Sequence, residues 1–200
     1  MTVRHVPSQE GYAWNLREIV LVAALAVVFG LLYWAWVQVW GGLRIAMGPA
    51  GDLAQNVLIG GWMVVAPLAI YIVRKPLSGV AAEIAAAFVE VAFLGSPIGP
   101  LLFLTGLVQG VGAELPFTLT GYRRYGWWVF ILAGLSAACF SFVYSTIRFG
   151  WLGQDVFLLR LVLHLLSGLI LTGVVAKVIG DALRATGVLD NYAIGRATDR

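Results

Sequence analysis

Charge is what this chain has least of. Only 12% of its 200 residues are charged and 60% are hydrophobic, whereas soluble domains carry about 25% charged residues. So little polar surface excludes a soluble globular domain and points to one all-α integral membrane domain over residues 1–200. Cysteine is limited to Cys139, which excludes a disulfide framework and a CxxC metal pair. Within its apolar run the thiol reads as a small apolar filler. The two histidines, His5 and His164, form no HExxH, so a two-histidine zinc site would have to recruit the N-terminus. There is no GxSxG and no phosphate-binding loop. The apolar stretches contain no aspartate, and Glu83 and Glu90, two turns apart at about 10 Å by helical rise, cannot share a proton. The expectation is a chain with no catalytic residue, no metal site and no cofactor. A net charge of +3, carried mostly in short loops, argues against a nucleic-acid partner. The first apolar run starts near residue 19 and is too long for a signal peptide, with no small-residue cleavage site after it.

Long apolar runs, by contrast, are abundant. Six stretches approach the roughly 20 residues that cross a bilayer as a helix: about 16–40, 53–73, 76–94, 100–119, 127–147 and 156–179. Between them lie short segments rich in turn residues, such as RKP, GSPIG and GYRRYG. The tail, 181–200, mixes charges with small residues and reads as frayed into solvent. Six crossings put both termini on one side. That side collects ten of the thirteen Lys and Arg residues, leaving Arg44, Arg148 and Arg160 on the other. The bias makes both termini cytoplasmic and places three loops outside: 41–52, 95–99 and 148–155.

Polar groups inside the apolar stretches are the candidates for function, because they are costly in hydrocarbon and face the interior or a cavity. Glu83 and Glu90 share one small-residue face of the third stretch with Gly79 and Ala86. Glu83, the deeper, reads as a hydrogen-bonded structural group, and Glu90, beside an outer loop, as accessible to a ligand. Gln109 lies near mid-membrane between Gly106 and Gly110, whereas Glu114, lower and on another face, suits packing or a cytoplasmic contact. Tyr144 and Arg148 climb the fifth stretch, and Arg160 and His164 share a face of the sixth. Arg160 has two readings, snorkelling to the interface or neutralising Glu90. The first stretch ends YWAWVQVW, in which Trp34 and Gln38 occupy one face and Trp36 and Trp40 its neighbour. Such rings serve as an interfacial belt or as a sandwich for a flat, partly cationic heterocycle. The set describes an outward pocket for a small planar solute. A membrane scaffold, whose polar residues only join helices, is the alternative.

Three segments then resemble a known group: NLREIVLVAALAVVFGLLYWAW, GVAAEIAAAFVEVAFLGSPIGP and GLVQGVGAELPF. They are similar to the YkoE family among the substrate-binding S components of energy-coupling factor (ECF) transporters, over nearly the whole chain. The resemblance implies six helices in a bacterial cell membrane and a pocket roofed by the loops after helices 1, 3 and 5. It also implies capture of thiamin or its hydroxymethylpyrimidine precursor, together with a transmembrane T component and separate ATPase subunits. It assigns Glu90 to the aminopyrimidine, and Trp34 and Trp40 to ring stacking. Docking on the T component, usually through alanines spaced by three, falls on Ala23, Ala26 and Gly30, where Val22 and Val27 interrupt a longer alanine stripe.

Overall fold

In the computed structural model, residues 13–196 are described; His5, Arg4, Arg200 and the rest of 1–12 and 197–200 lie outside them. The described residues form helices and turns with no strand. Helix α1 spans Leu16–Met47 and opens with a capping box, Asn15 accepting from Glu18 N–H and Glu18 from Asn15 N–H. It runs seven residues past the expected end at Trp40. Gly41 and Gly42 do not stop it, since a helical glycine costs only about 1 kcal/mol relative to alanine. The stop comes at Gly48, whose φ of 56° suits a residue without Cβ. The outer loop expected at 41–52 is therefore mostly helix.

The second segment is broken. It comprises α2 (Gly51–Leu58), a tight 3₁₀ stretch (Ile59–Met63) and α3 (Val65–Val73). Then come α4 (Ser78–Ala92), α5 (Leu101–Leu119) and α6 (Trp127–Phe149). The final segment is α7 (Phe157–Ser167), a π-helical stretch (Gly168–Val174) and α8 (Val175–Ala185). Short turns join these segments, so neighbours run antiparallel. One end of the bundle, the terminal end, holds residues 13–15, 74–77, 120–126 and the tail. The far end holds 48–50, 93–100 and 150–156.

Among the described residues, five helical segments are long and apolar enough to cross a membrane: α1, Gly51–Val73, α5, α6 and Phe157–Ala185. Helix α4 has 15 residues, about 22 Å at 1.5 Å per residue, short of the roughly 30 Å hydrocarbon core. It nevertheless packs between α1, α3 and α5. The tail departs from its expected fraying. Helix α8 continues to Ala185, and Leu189 and Ile194, the latter in α9 (Ala193–Arg196), are buried in the main core. Cys139 departs too: it is exposed on α6 and fills no interior space.

Hydrocarbon gives helices no hydrophobic reason to associate, so close approach of small residues carries the packing. Helix α6 meets the π-helical stretch glycine to glycine: a Cβ on Gly134 would collide with the Gly168 carbonyl, and one on Gly168 with Gly134 O and Ala138. At the terminal end, Glu114 Oε2 accepts from the Gly79 (2.9 Å) and Val80 (3.1 Å) N–H groups, which caps the start of α4. Its other oxygen accepts from the Tyr122 hydroxyl at 2.7 Å. Burial pushes the Tyr122 pKa up to about 12, so this hydroxyl stays a donor.

The break at Ile59–Val64 is stabilised from outside its own segment. The Tyr33 hydroxyl accepts from Val65 N–H at 3.0 Å and donates to Glu83 Oε1 at 3.2 Å, which also accepts from Ala66 N–H at 3.2 Å. Ser167 Oγ accepts from Gly60 N–H and donates to Val57 O, while Thr172 donates to Gly60 O and Trp36 to Leu58 O. Glu83 is thus the structural group the sequence suggested. Replacing Glu83 by Gln keeps an acceptor for both donors and is expected to leave the melting temperature near that of the parent. Glu83→Leu strands two buried donors at about 1–3 kcal/mol each. It should lower the melting temperature in detergent by several degrees, and equal melting of the two variants would contradict this role.

Candidate functional site

Five segments each turn an i, i+4, i+7 stripe toward one cavity, the spacing that keeps side chains on a single helix face. The stripes are Tyr33, Val37 and Trp40 on α1; Gln55, Ile59 and Trp62 on the broken segment; and Glu83, Ala87 and Glu90 on α4. Leu102, Gly106 and Gln109 come from α5, and Ser141, Ser145 and Arg148 from α6. Thr105, Tyr144 and Phe149 fill between them, and Ile98 from the 93–100 turn reaches in from the far end. The cavity holds about 150 Å³.

Several of its polar groups are anchored to the protein. Thr105 donates to the Tyr144 hydroxyl at 3.3 Å, and Trp62 Nε1 donates to Tyr33 O at 3.1 Å. Two fully buried polar atoms are not. Glu90 is 2% exposed and its Oε2 has no hydrogen-bond partner. Trp40 Nε1 is likewise buried and unpartnered. A buried polar atom without a partner costs about 1–3 kcal/mol, so one cavity carries both an unused acceptor and an unused N–H donor. A small molecule with an amine and a ring acceptor can satisfy both.

Of the expected site residues, the structure brings Glu90, Trp40, Gln109 and Tyr144 to this cavity. Trp34 is 37% exposed on the outer face of α1, and exposed Gln38 turns its amide back toward Trp34 O. Trp34 and Gln38 lie one residue past Tyr33 and Val37, about 100° further around the helix. No residue of the last segment lines the cavity. Arg160 pairs with Asp52 at the start of α2 and lies over Trp151 at 4.8 Å, so it neither snorkels free nor meets Glu90. His164 Nδ1 pairs with Asn56 Oδ1 at 3.1 Å, its ring against Phe142 and Trp151. The two residues brace α2 from behind while its Gln55 faces the cavity.

The docking stripe is split in the same way. Ala26 and Gly30 are buried within the chain, where a Cβ on Gly30 would strike Val89 of α4, and only Ala23 of the three is exposed. Small residues here allow α1 and α4 to approach each other. Sequence reasoning overlooked Tyr33, Trp62, Gln55, Ser141 and Ser145 as cavity residues. For Tyr33, Ser141 and Ser145 the signal was helical spacing with Trp40 and Arg148, whereas Gln55 and Trp62 share their stripe with no residue already singled out.

The family of permease components of ABC-type cobalt transport systems matches the chain over residues 17–140. A protein of Bacillus subtilis (strain 168) named as an HMP/thiamine permease, YkoE, is 35% identical over 186 residues, 92% of this chain and 92% of that protein. A crystal structure of an S component of an ECF transporter superposes with a TM-score of 0.85 at 35% identity, covering 92% of each chain.

The brace behind α2 generates a direct check. Asn56→Leu leaves His164 without its partner and should cost about 1–3 kcal/mol of stability. The Asn56→Leu/His164→Leu double variant should cost clearly less than the sum of the single losses. Additive losses in detergent melting would show that the pair is not coupled.

Proposed function

Because the chain belongs to the YkoE-related family of S components of ECF transporters, we propose that it captures thiamin or its hydroxymethylpyrimidine precursor for uptake. As a transport subunit and not an enzyme, it leaves ATP hydrolysis to separate subunits. In this reading α4 joins the five longer segments as a sixth crossing, both termini are cytoplasmic and the far end faces outside. The excess of Lys and Arg at the terminal end supports that orientation.

One observation carries the ligand assignment: Glu90 Oε2 and Trp40 Nε1 are both buried, unpartnered and on the same cavity. An aminopyrimidine offers an exocyclic amine to the carboxylate and a ring nitrogen to the indole N–H. Tyr33, Trp40, Trp62, Tyr144 and Phe149 supply faces for flat rings, and a thiazolium cation gains from ring quadrupoles. Cobalt, the cargo named by the matching family, fits less well. The cavity lining holds two carboxylates but no His or Cys, and among the described residues no cluster of three or more His, Cys, Asp or Glu could hold a metal ion. Docking on a T component remains part of the proposal, with exposed Ala23 in place of the buried Ala26 and Gly30.

Titration calorimetry in detergent should show thiamin or hydroxymethylpyrimidine binding to the parent chain. Glu90→Gln should weaken it at least about tenfold, 1.4 kcal/mol, with melting behaviour retained. Mass spectrometry of small molecules that co-purify with the chain should find the same ligand. An undiminished affinity in Glu90→Gln would reject the role of Glu90, and no ligand at all would favour the scaffold alternative.

A further inference from the structure

We propose that Arg148 makes the mouth of the cavity a site for an anionic tail, so that the preferred ligand is an amine-bearing ring that carries a phosphate ester. The proposal rests on the aminopyrimidine reading above and adds a second charged group on the same cavity. Arg148 is half-buried in the last turn of α6 and, among the described residues, is the only Lys or Arg in the cavity lining. Among the described residues no carboxylate pairs with it, the three ion pairs being Lys75–Glu18, Arg160–Asp52 and Lys177–Asp181.

Its guanidinium is nevertheless held in place. It lies over Phe149 at 5.0 Å and over Tyr144 at 5.9 Å. Phe149 stacks on Trp151, with centroids 5.7 Å apart and planes 23° apart. Trp151 is 2% exposed, and the Arg160 guanidinium, tied to Asp52, lies over its ring. A chain of stacked groups thus runs from Arg148 through Phe149 to a buried indole. Tyr144, which supports it, is itself tied to Thr105. The lining therefore presents the unpartnered Glu90 carboxylate and a positioned guanidinium fork to the same cavity. A carboxylate selects an amine, and the planar fork matches the geometry of a phosphate. A neutral or purely cationic ligand leaves the fork unused.

A phospholipid headgroup offers the same phosphate at a membrane surface, so the test separates the two sources. The purified chain and its R148Q variant are titrated with thiamin and with thiamin monophosphate in lipid-free non-ionic detergent. The parent should bind the monophosphate at least about tenfold more tightly than thiamin, and R148Q should shrink that preference to about threefold or less. Equal affinities in the parent, or a preference that survives in R148Q, overturn the proposal while leaving the aminopyrimidine reading intact. Binding of neither compound overturns that reading and this proposal together. Absence of the preference, combined with less phosphatidylglycerol retained by R148Q through purification, assigns the arginine to lipid and overturns the proposal.

Discussion

A backbone amide inside a bilayer finds no water, so each one left open by a break in a helix must be met by protein. That constraint governs the segment from Gly51 to Val73. Its 3₁₀ stretch gives up the regular helical pattern at mid-segment, and the surrounding helices answer. Tyr33 and Glu83 satisfy the start of α3, Ser167 and Thr172 satisfy Gly60, and Trp36 reaches Leu58 O. Irregular backbone at membrane depth is tolerated where it lines a cavity, and Ile59 and Trp62 of this stretch do so. The cavity and the break therefore come from the same local departure from helix.

The three intramembrane glutamates divide along this line. Glu114 holds the start of α4 and Glu83 holds the start of α3, each accepting from backbone N–H groups. Their bonds secure α4, and α4 carries Glu90 to the far end of the cavity on the same stripe as Glu83. Glu90 Oε2 has no hydrogen-bond partner in the protein. Three similar residues in a similar medium thus differ in whether the fold uses their carboxylate.

The helices themselves were legible in the sequence because a bilayer demands long apolar runs. The faces were much less so. In a soluble helix the buried stripe stands out against polar neighbours, but α1 carries apolar residues all round, and its buried stripe runs through Glu18, Val22, Ala26, Phe29, Tyr33 and Val37. Trp34 and Tyr33 are adjacent and equally aromatic, yet one faces out and the other holds the core of the site. Glu90, Gln109 and Tyr144 were found because a polar group in hydrocarbon stands out singly. Helix ends failed for a different reason. Gly41 and Gly42 resemble a stop in sequence, yet α1 ends at the positive-φ Gly48, which Pro49 follows directly.

Arg160 and His164 show the limit of inferring a pocket from depth alone. They do lie near the same end as the cavity, as their sequence positions suggested, but one helix stands between. Helix α2 has only eight residues and two working faces: Gln55 looks into the cavity, while Asp52 and Asn56 look back at Arg160 and His164. A helix this short has little stability of its own, so its placement depends on what grips its outer face. The imidazole and guanidinium act on the cavity through that wall. A polar residue deep in a membrane protein can therefore serve a binding site without lining it, by fixing the backbone that does.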